Sequence, residues 1–126
     1  MKPKRINRTL LGALSLLISS TAVHAGKADV VEVTASKTGS GFFHFDVTVR
    51  HADAGWKHYA NKWDIIGPGG KVLGTRVLHH PHVSEQPFTR SLSGVRIPKS
   101  VKRVTVRAYD SRHGSGGKTI TLDINH

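Results

Sequence analysis

From Val30 onward, apolar and polar residues alternate in short runs, and no window of 11 residues keeps a helical stripe. The clearest run sets Phe43, Phe45, Val47 and Val49 against His44, Asp46, Thr48 and Arg50, the pattern of a strand with one face buried. An earlier run, Ala28 to Lys37, ends at the turn residues Thr38-Gly39-Ser40-Gly41. A third, His58 to Ile66, puts Tyr59, Asn61, Trp63 and Ile65 on one face and stops at Gly67-Pro68-Gly69-Gly70. Its hairpin partner is Val72 to His80. Further strands are read over Phe88 to Ile97, around Val101, Val104, Val106 and Ala108, and at Ile120, Leu122 and Ile124. Seven strands in about 100 residues, with a tryptophan on the third, predict an all-β, immunoglobulin- or fibronectin-like sandwich. A small closed barrel has the same periodicity and stays open as the alternative.

The first 25 residues break this pattern. Lys2, Lys4, Arg5 and Arg8 precede an apolar run from Leu10 to Ile18, followed by small residues ending in Val23-His24-Ala25. That order is the one a secretory signal peptide uses, and it places cleavage between Ala25 and Gly26. A run of nine residues is about half of what a membrane-crossing helix needs. The expected product is a single domain, residues 26–126, periplasmic or secreted and with no stable membrane insertion.

Of the 19 lysines and arginines, four lie in the leader, which leaves 15 against 8 acidic residues, a charge of +7. Such a surface favours anionic partners and is silent about fold; export argues against nucleic acid. With no cysteine, the domain has neither a disulfide nor a thiolate metal site, and its stability rests on the core.

The topology gives the histidines their interest. If the second strand runs upward, His51 stands at its upper end, His58 opens the third strand there, and the hairpin partner delivers His79, His80 and His82 to the same end. Asp110 and His113 arrive with the sixth strand. Imidazole nitrogens suit copper and zinc, and three or four converging ligands make a site. His51, His58, His80, His82, His113 and Asp110 are therefore the candidate metal ligands. Asp53, Glu85 and Asp110 are candidates to complete the sphere or orient a ring. A solvated loop with incidental histidines is the competing reading, because the spacing matches no specific metal signature. Tyr59 and Trp63 read as core, whereas Trp56, beside Gly55, reads as an exposed contact. Glu85 and Arg90 read as an ion pair that fixes a loop or forms a recognition surface.

The segments Gly55-Trp56-Lys57-His58-Tyr59-Ala60, Leu78-His79-His80-Pro81-His82-Val83 and Glu85-Gln86-Pro87-Phe88-Thr89-Arg90-Ser91-Leu92-Ser93-Gly94-Val95 resemble those of small exported bacterial proteins of unassigned function. That resemblance implies no activity. No GxSxG turn, P-loop or dinucleotide fingerprint is present, and the carboxylates show no glycosidase-like pairing, so no enzyme is expected. A copper oxidase built on an amino-terminal histidine would need His at the new terminus, where the favoured cut leaves Gly26. The expected function is metal binding, with copper or zinc held for transport, buffering or delivery and an envelope protein as a candidate partner. The competing class is a protein-interaction or ligand-binding sandwich, and a metalloenzyme on the same ligands is a third reading.

Overall fold

A computed structural model describes residues 26–126; the leader expected over 1–25 lies outside the described residues. The alternating runs become seven strands: β1 (Asp29–Gly39), β2 (Phe42–Arg50), β3 (Ala60–Ile66), β4 (Val72–Val77), β5 (Phe88–Arg96), β6 (Arg103–Asp110) and β7 (Ile120–Asp123). They form two antiparallel sheets, ordered β1-β2-β5 and β4-β3-β6-β7. The result is an all-β, disulfide-free sandwich of seven strands, as the patterning predicts.

The core follows from the alternation. On β2, Phe43, Phe45, Val47 and Val49 are buried and face Trp63 and Ile65 of β3 and Val104, Val106 and Ala108 of β6 across the sandwich. Each buried aliphatic or phenyl side chain contributes roughly 1.5–3 kcal/mol. Trp63 is the largest fully buried side chain.

Tyr59 departs from its expected place. Between Ala60 and Lys62 the β3 register slips by one residue against β6, so Ala60 pairs with Asp110 and Lys62 with Tyr109. Asn61 is the extra residue of this bulge, and it reverses the parity of everything before it. Ala60 therefore points inward with Trp63, and Tyr59 lies half-buried outside the core, its ring edge-on to Trp56 at 5.6 Å.

Antiparallel pairing brings one set of connections to a single end of the sandwich: residues 51–59 between β2 and β3, 78–87 between β4 and β5, and 111–119 between β6 and β7. The segment leading into β1 reaches the same end and is locked there. Asp29 Oδ1 accepts from the Lys118 N–H at 2.7 Å, and the Val30 N–H donates to the Lys118 carbonyl at 2.8 Å. Gly117 permits this approach, since a Cβ there would stand 2.0 Å from the Ala28 carbonyl oxygen.

Candidate metal centre

The loop after β2 folds around one carboxylate. The Asp53 side chain is fully buried and accepts three hydrogen bonds. Oδ1 takes the Ala60 N–H at 2.9 Å and His51 Nδ1 at 2.6 Å, and Oδ2 takes the His82 N–H at 2.7 Å. A buried carboxylate needs such partners to offset its lost hydration. Gln86 ties the same loops together a second time: its Oε1 accepts from the His51 N–H and its Nε2 donates to the His82 carbonyl, both at 2.9 Å.

Asp53 also sets the chemistry of His51. A ring nitrogen 2.6 Å from a carboxylate carries the proton, so His51 donates through Nδ1 and turns Nε2 toward the interior of the loop cluster. This carboxylate–imidazole pairing is how proteins orient histidine ligands of metals. Nε2 of His51 lies 3.8 Å from Asp110 Oδ2, and Nε2 of His58 lies 3.6 Å from Asp110 Oδ1. One ligand atom from each of His51, His58 and Asp110 falls within 4.8 Å of the others.

Asp110 is equally prepared. Its Oδ1 accepts the backbone N–H groups of His113 at 2.6 Å and Arg112 at 2.8 Å, whereas Oδ2 is buried and has no hydrogen-bond partner. Burial pushes this carboxyl upward, but the two N–H groups and the nearby His113 and His51 rings outweigh it and hold the group below the usual carboxylate value. An anionic, buried oxygen with nothing to accept from calls for a partner that an ordered water or a cation would supply.

A fourth group joins these three. The Gly26 carbonyl oxygen sits 3.3 Å from Nε2 of His51 and 3.3 Å from Nε2 of His58. With the His51 proton on Nδ1, a neutral His51 would aim a lone pair at a carbonyl oxygen. A cation between them would take both lone pairs. Ligands about 2.0–2.1 Å from one tetrahedral ion are separated by roughly 3.3 Å along each edge, so the Gly26–imidazole spacing fits shared coordination. Two imidazoles, a carboxylate and a carbonyl form a nitrogen–oxygen donor set suited to zinc or copper(II).

The remaining candidates occupy different positions. The His113 ring packs 4.9 Å from His58, which in turn lies 4.8 Å from His51, and His113 Nδ1 is 3.2 Å from Asp110 Oδ1. The three side chains are 40 %, 19 % and 0 % exposed, a row of imidazoles leading from solvent to the buried end. His80 and His82 lie on the far side of Asp53. His82 stacks on Phe88 at 4.0 Å and its Nε2 accepts from Arg90 at 2.8 Å, so that lone pair is committed. Burial, then the Arg90 charge, lower the His82 pKa. His80 is exposed, with its ring 4.6 Å from that of His82. Arg90 also reaches Glu85 at 3.4 Å, a loop-fixing pair. Trp56 is 67 % exposed at the rim.

Sequence patterning points to His51, His58, His113 and Asp110 through their places at strand ends, and to Asp53 as an orienting acceptor. Gly26, Gln86 and Gly117 escape it. A glycine has no side chain to read, and the glutamine's role depends on two loops meeting. The word Glu85-Gln86-Pro87 is the only signal for Gln86.

No protein-family model matches the chain. A protein of Halomicrobium mukohataei named "Putative lipoprotein" is 39% identical over 97 residues, 77% of this chain and 47% of that protein. The chain thus spans about half the length of the curated relative it matches. Among solved structures, a hypothetical protein from Pyrococcus horikoshii OT3 aligns with a TM-score of 0.49 and 12% identity, over 81% of this chain and 95% of that one.

Proposed function

We propose that the mature chain is an exported protein that binds one copper or zinc ion through His51, His58 and Asp110, for transport, buffering or delivery. The observation that carries this reading is the buried, unpartnered Oδ2 of Asp110 facing an imidazole nitrogen whose tautomer Asp53 has fixed. The signal-like leader and the lipoprotein name of the Halomicrobium relative support an envelope location. Among the described residues, no helix is long and apolar enough to cross a membrane.

In this reading His113 is the entry ligand. Its exposed ring meets an incoming ion and hands it along the row to His58 and His51. Trp56, exposed beside His58, shields the mouth or meets an envelope partner that receives the ion.

Calorimetric titration of tag-free protein with Cu(II) and with Zn(II) tests the reading. One ion per chain, bound more tightly than about 1 μM, is expected for at least one metal. His58→Ala and Asp110→Asn should each weaken it tenfold or more, and His80→Ala should leave it within twofold. Absence of saturable binding tighter than micromolar, or loss of binding in His80→Ala alone, refutes this ligand set.

A further inference from the structure

The expected signal-peptidase cut and the metal centre meet at the same residue. Gly26 is the residue the leader's small-residue motif places at the new amino terminus, and its carbonyl oxygen stands between the two imidazoles of the centre. We propose that cleavage before Gly26 completes the metal site, the freed α-amino group and the Gly26 carbonyl binding the ion together with His51, His58 and Asp110. The inference rests on the metal-binding reading above and adds to it the ligand and the event that makes it available.

Three observations support it. The first is placement. The α-nitrogen lies one Cα away from a carbonyl already at ligand spacing from both rings, and an ion held by that nitrogen and that oxygen closes a five-membered chelate. Before cleavage the nitrogen belongs to a peptide bond, where its lone pair is delocalised and it cannot bind a cation without losing its proton. Cleavage turns a non-ligand into an amine.

The second is the fit of glycine itself. Gly26 is buried, has φ of +112° and packs on the His113 ring, with the position of a Cβ only 3.0 Å from His113 Cε1. The residue after the cut is therefore held where a side chain would press on a ring of the cluster.

The third is anchoring. A free chain end usually frays. Here the terminus is fixed only a few residues away: Ala28 is buried against Gly117, Asp29 is bonded to Lys118, and Val30 joins the Lys118 carbonyl. The β6–β7 loop that carries His113 at its start thus also holds the terminus in place. Among the described residues, 26–126, seven strands enclose a buried core.

The test compares three preparations. The full chain is exported with its own leader, purified from the periplasm, and its amino terminus is read by intact mass. A fusion-released chain beginning at Gly26 is titrated with Cu(II) beside one that retains residues 20–25. The Gly26 chain is also labelled with [15N]glycine, in which Gly26 supplies the sole amine nitrogen, and its Cu(II) complex is measured by electron–nuclear double resonance.

The expected results are an exported chain starting at Gly26, at least tenfold tighter binding than the extended chain, and a strongly coupled 15N. Proton release on binding, measured in two buffers of different ionisation enthalpy, should be greater by close to one proton per ion in the Gly26 chain. Equal affinity in both chains, with binding lost from both in His51→Ala, overturns this inference and leaves the metal-binding reading standing. Binding by neither chain overturns both. An exported chain starting elsewhere, or an absent 15N coupling, overturns the inference alone.

Discussion

Asp53→Asn separates a carboxylate that builds a metal centre from one that merely fills a loop. The carboxylate accepts from three donors, two on Oδ1 and one on Oδ2. Asparagine offers one acceptor oxygen and one donor nitrogen. With its oxygen in the Oδ1 position it keeps the bonds from Ala60 N and His51 Nδ1 and sets its amide nitrogen against the His82 N–H, donor to donor. The opposite orientation opposes two donors and is worse. The better arrangement leaves a buried N–H unsatisfied, at about 1–3 kcal/mol, and turns two charge-assisted bonds into neutral ones, about 1 kcal/mol more in total. Relief of the buried charge offsets part of this, so the expected loss is about 2–4 kcal/mol in urea unfolding, within the roughly 5–15 kcal/mol of a typical domain. The neutral amide also holds the His51 ring through a weaker bond at Nδ1, so metal affinity should fall by roughly 10–100-fold. Both quantities are read on one preparation, by urea titration and by calorimetry with Cu(II) or Zn(II). A folded variant with stability within about 0.5 kcal/mol of the parent would refute the three-bond account. Full stability loss with unchanged affinity would show that Asp53 only shapes the loops.

Three further outcomes follow from the same contacts. His82, depressed by burial and by Arg90, should titrate by NMR below the ordinary 6.5, and Arg90→Gln should raise its midpoint; a His82 midpoint at or above 6.5 in the parent refutes the contact. The sign for stability is fixed: a histidine that resists protonation when folded contributes fully above pH 6.5, and that contribution is lost as pH falls from there through its folded value. Gly117→Ala would drive a methyl into the Ala28 carbonyl and should lower stability by more than about 1 kcal/mol while also weakening metal binding several-fold. An effect on neither would show that the Ala28–Gly117 approach does not hold the terminus. Trp63→Ala empties the largest buried site in the core and should cost about 3–5 kcal/mol, seen as a lower urea midpoint; a loss under about 1 kcal/mol would contradict its central position.

The strands are legible in the sequence because each has one buried face, so that Phe43 to Val49 and Val104 to Ala108 announce themselves by alternation. The convergence of His51, His58, Asp110 and His113 is legible for the same reason, since strand ends in an antiparallel sandwich share an end. Two features are not. The bulge at Asn61 moves Tyr59 off the core face, and no residue type marks it, because Asn61 serves as well in a regular strand. The His79-His80-Pro81-His82 run looks like the densest ligand cluster in the chain. In the fold, Leu78 enters the core after β4, leaving His79 and His80 exposed, and His82 is claimed by Phe88 and Arg90. Side-chain chemistry alone cannot tell a free lone pair from one already accepting a guanidinium proton.

The charge distribution then bears on how an ion reaches the centre. Residues 26–126 carry 15 basic and 8 acidic side chains, so at distances beyond a Debye length, about 8 Å at physiological ionic strength, a free divalent cation is weakly repelled. Close to the centre the sign reverses. Asp53 and Asp110 are two fully buried carboxylates within one loop cluster, and buried anions persist only when something positive compensates them. Backbone N–H groups supply part of that compensation at both carboxylates, and in the proposed reading a bound divalent ion would supply the rest. A basic exterior around an acidic, imidazole-lined interior is a poor collector of free ions and a good acceptor from a donor of opposite charge. In the proposed reading, the surface that repels the bare cation would attract an acidic protein or chelate carrying it, and the half-exposed His113 ring would make the first exchange of ligands. If the cluster binds metal as proposed, the charge would favour an acidic carrier and the histidine–aspartate cluster would take the ion from it.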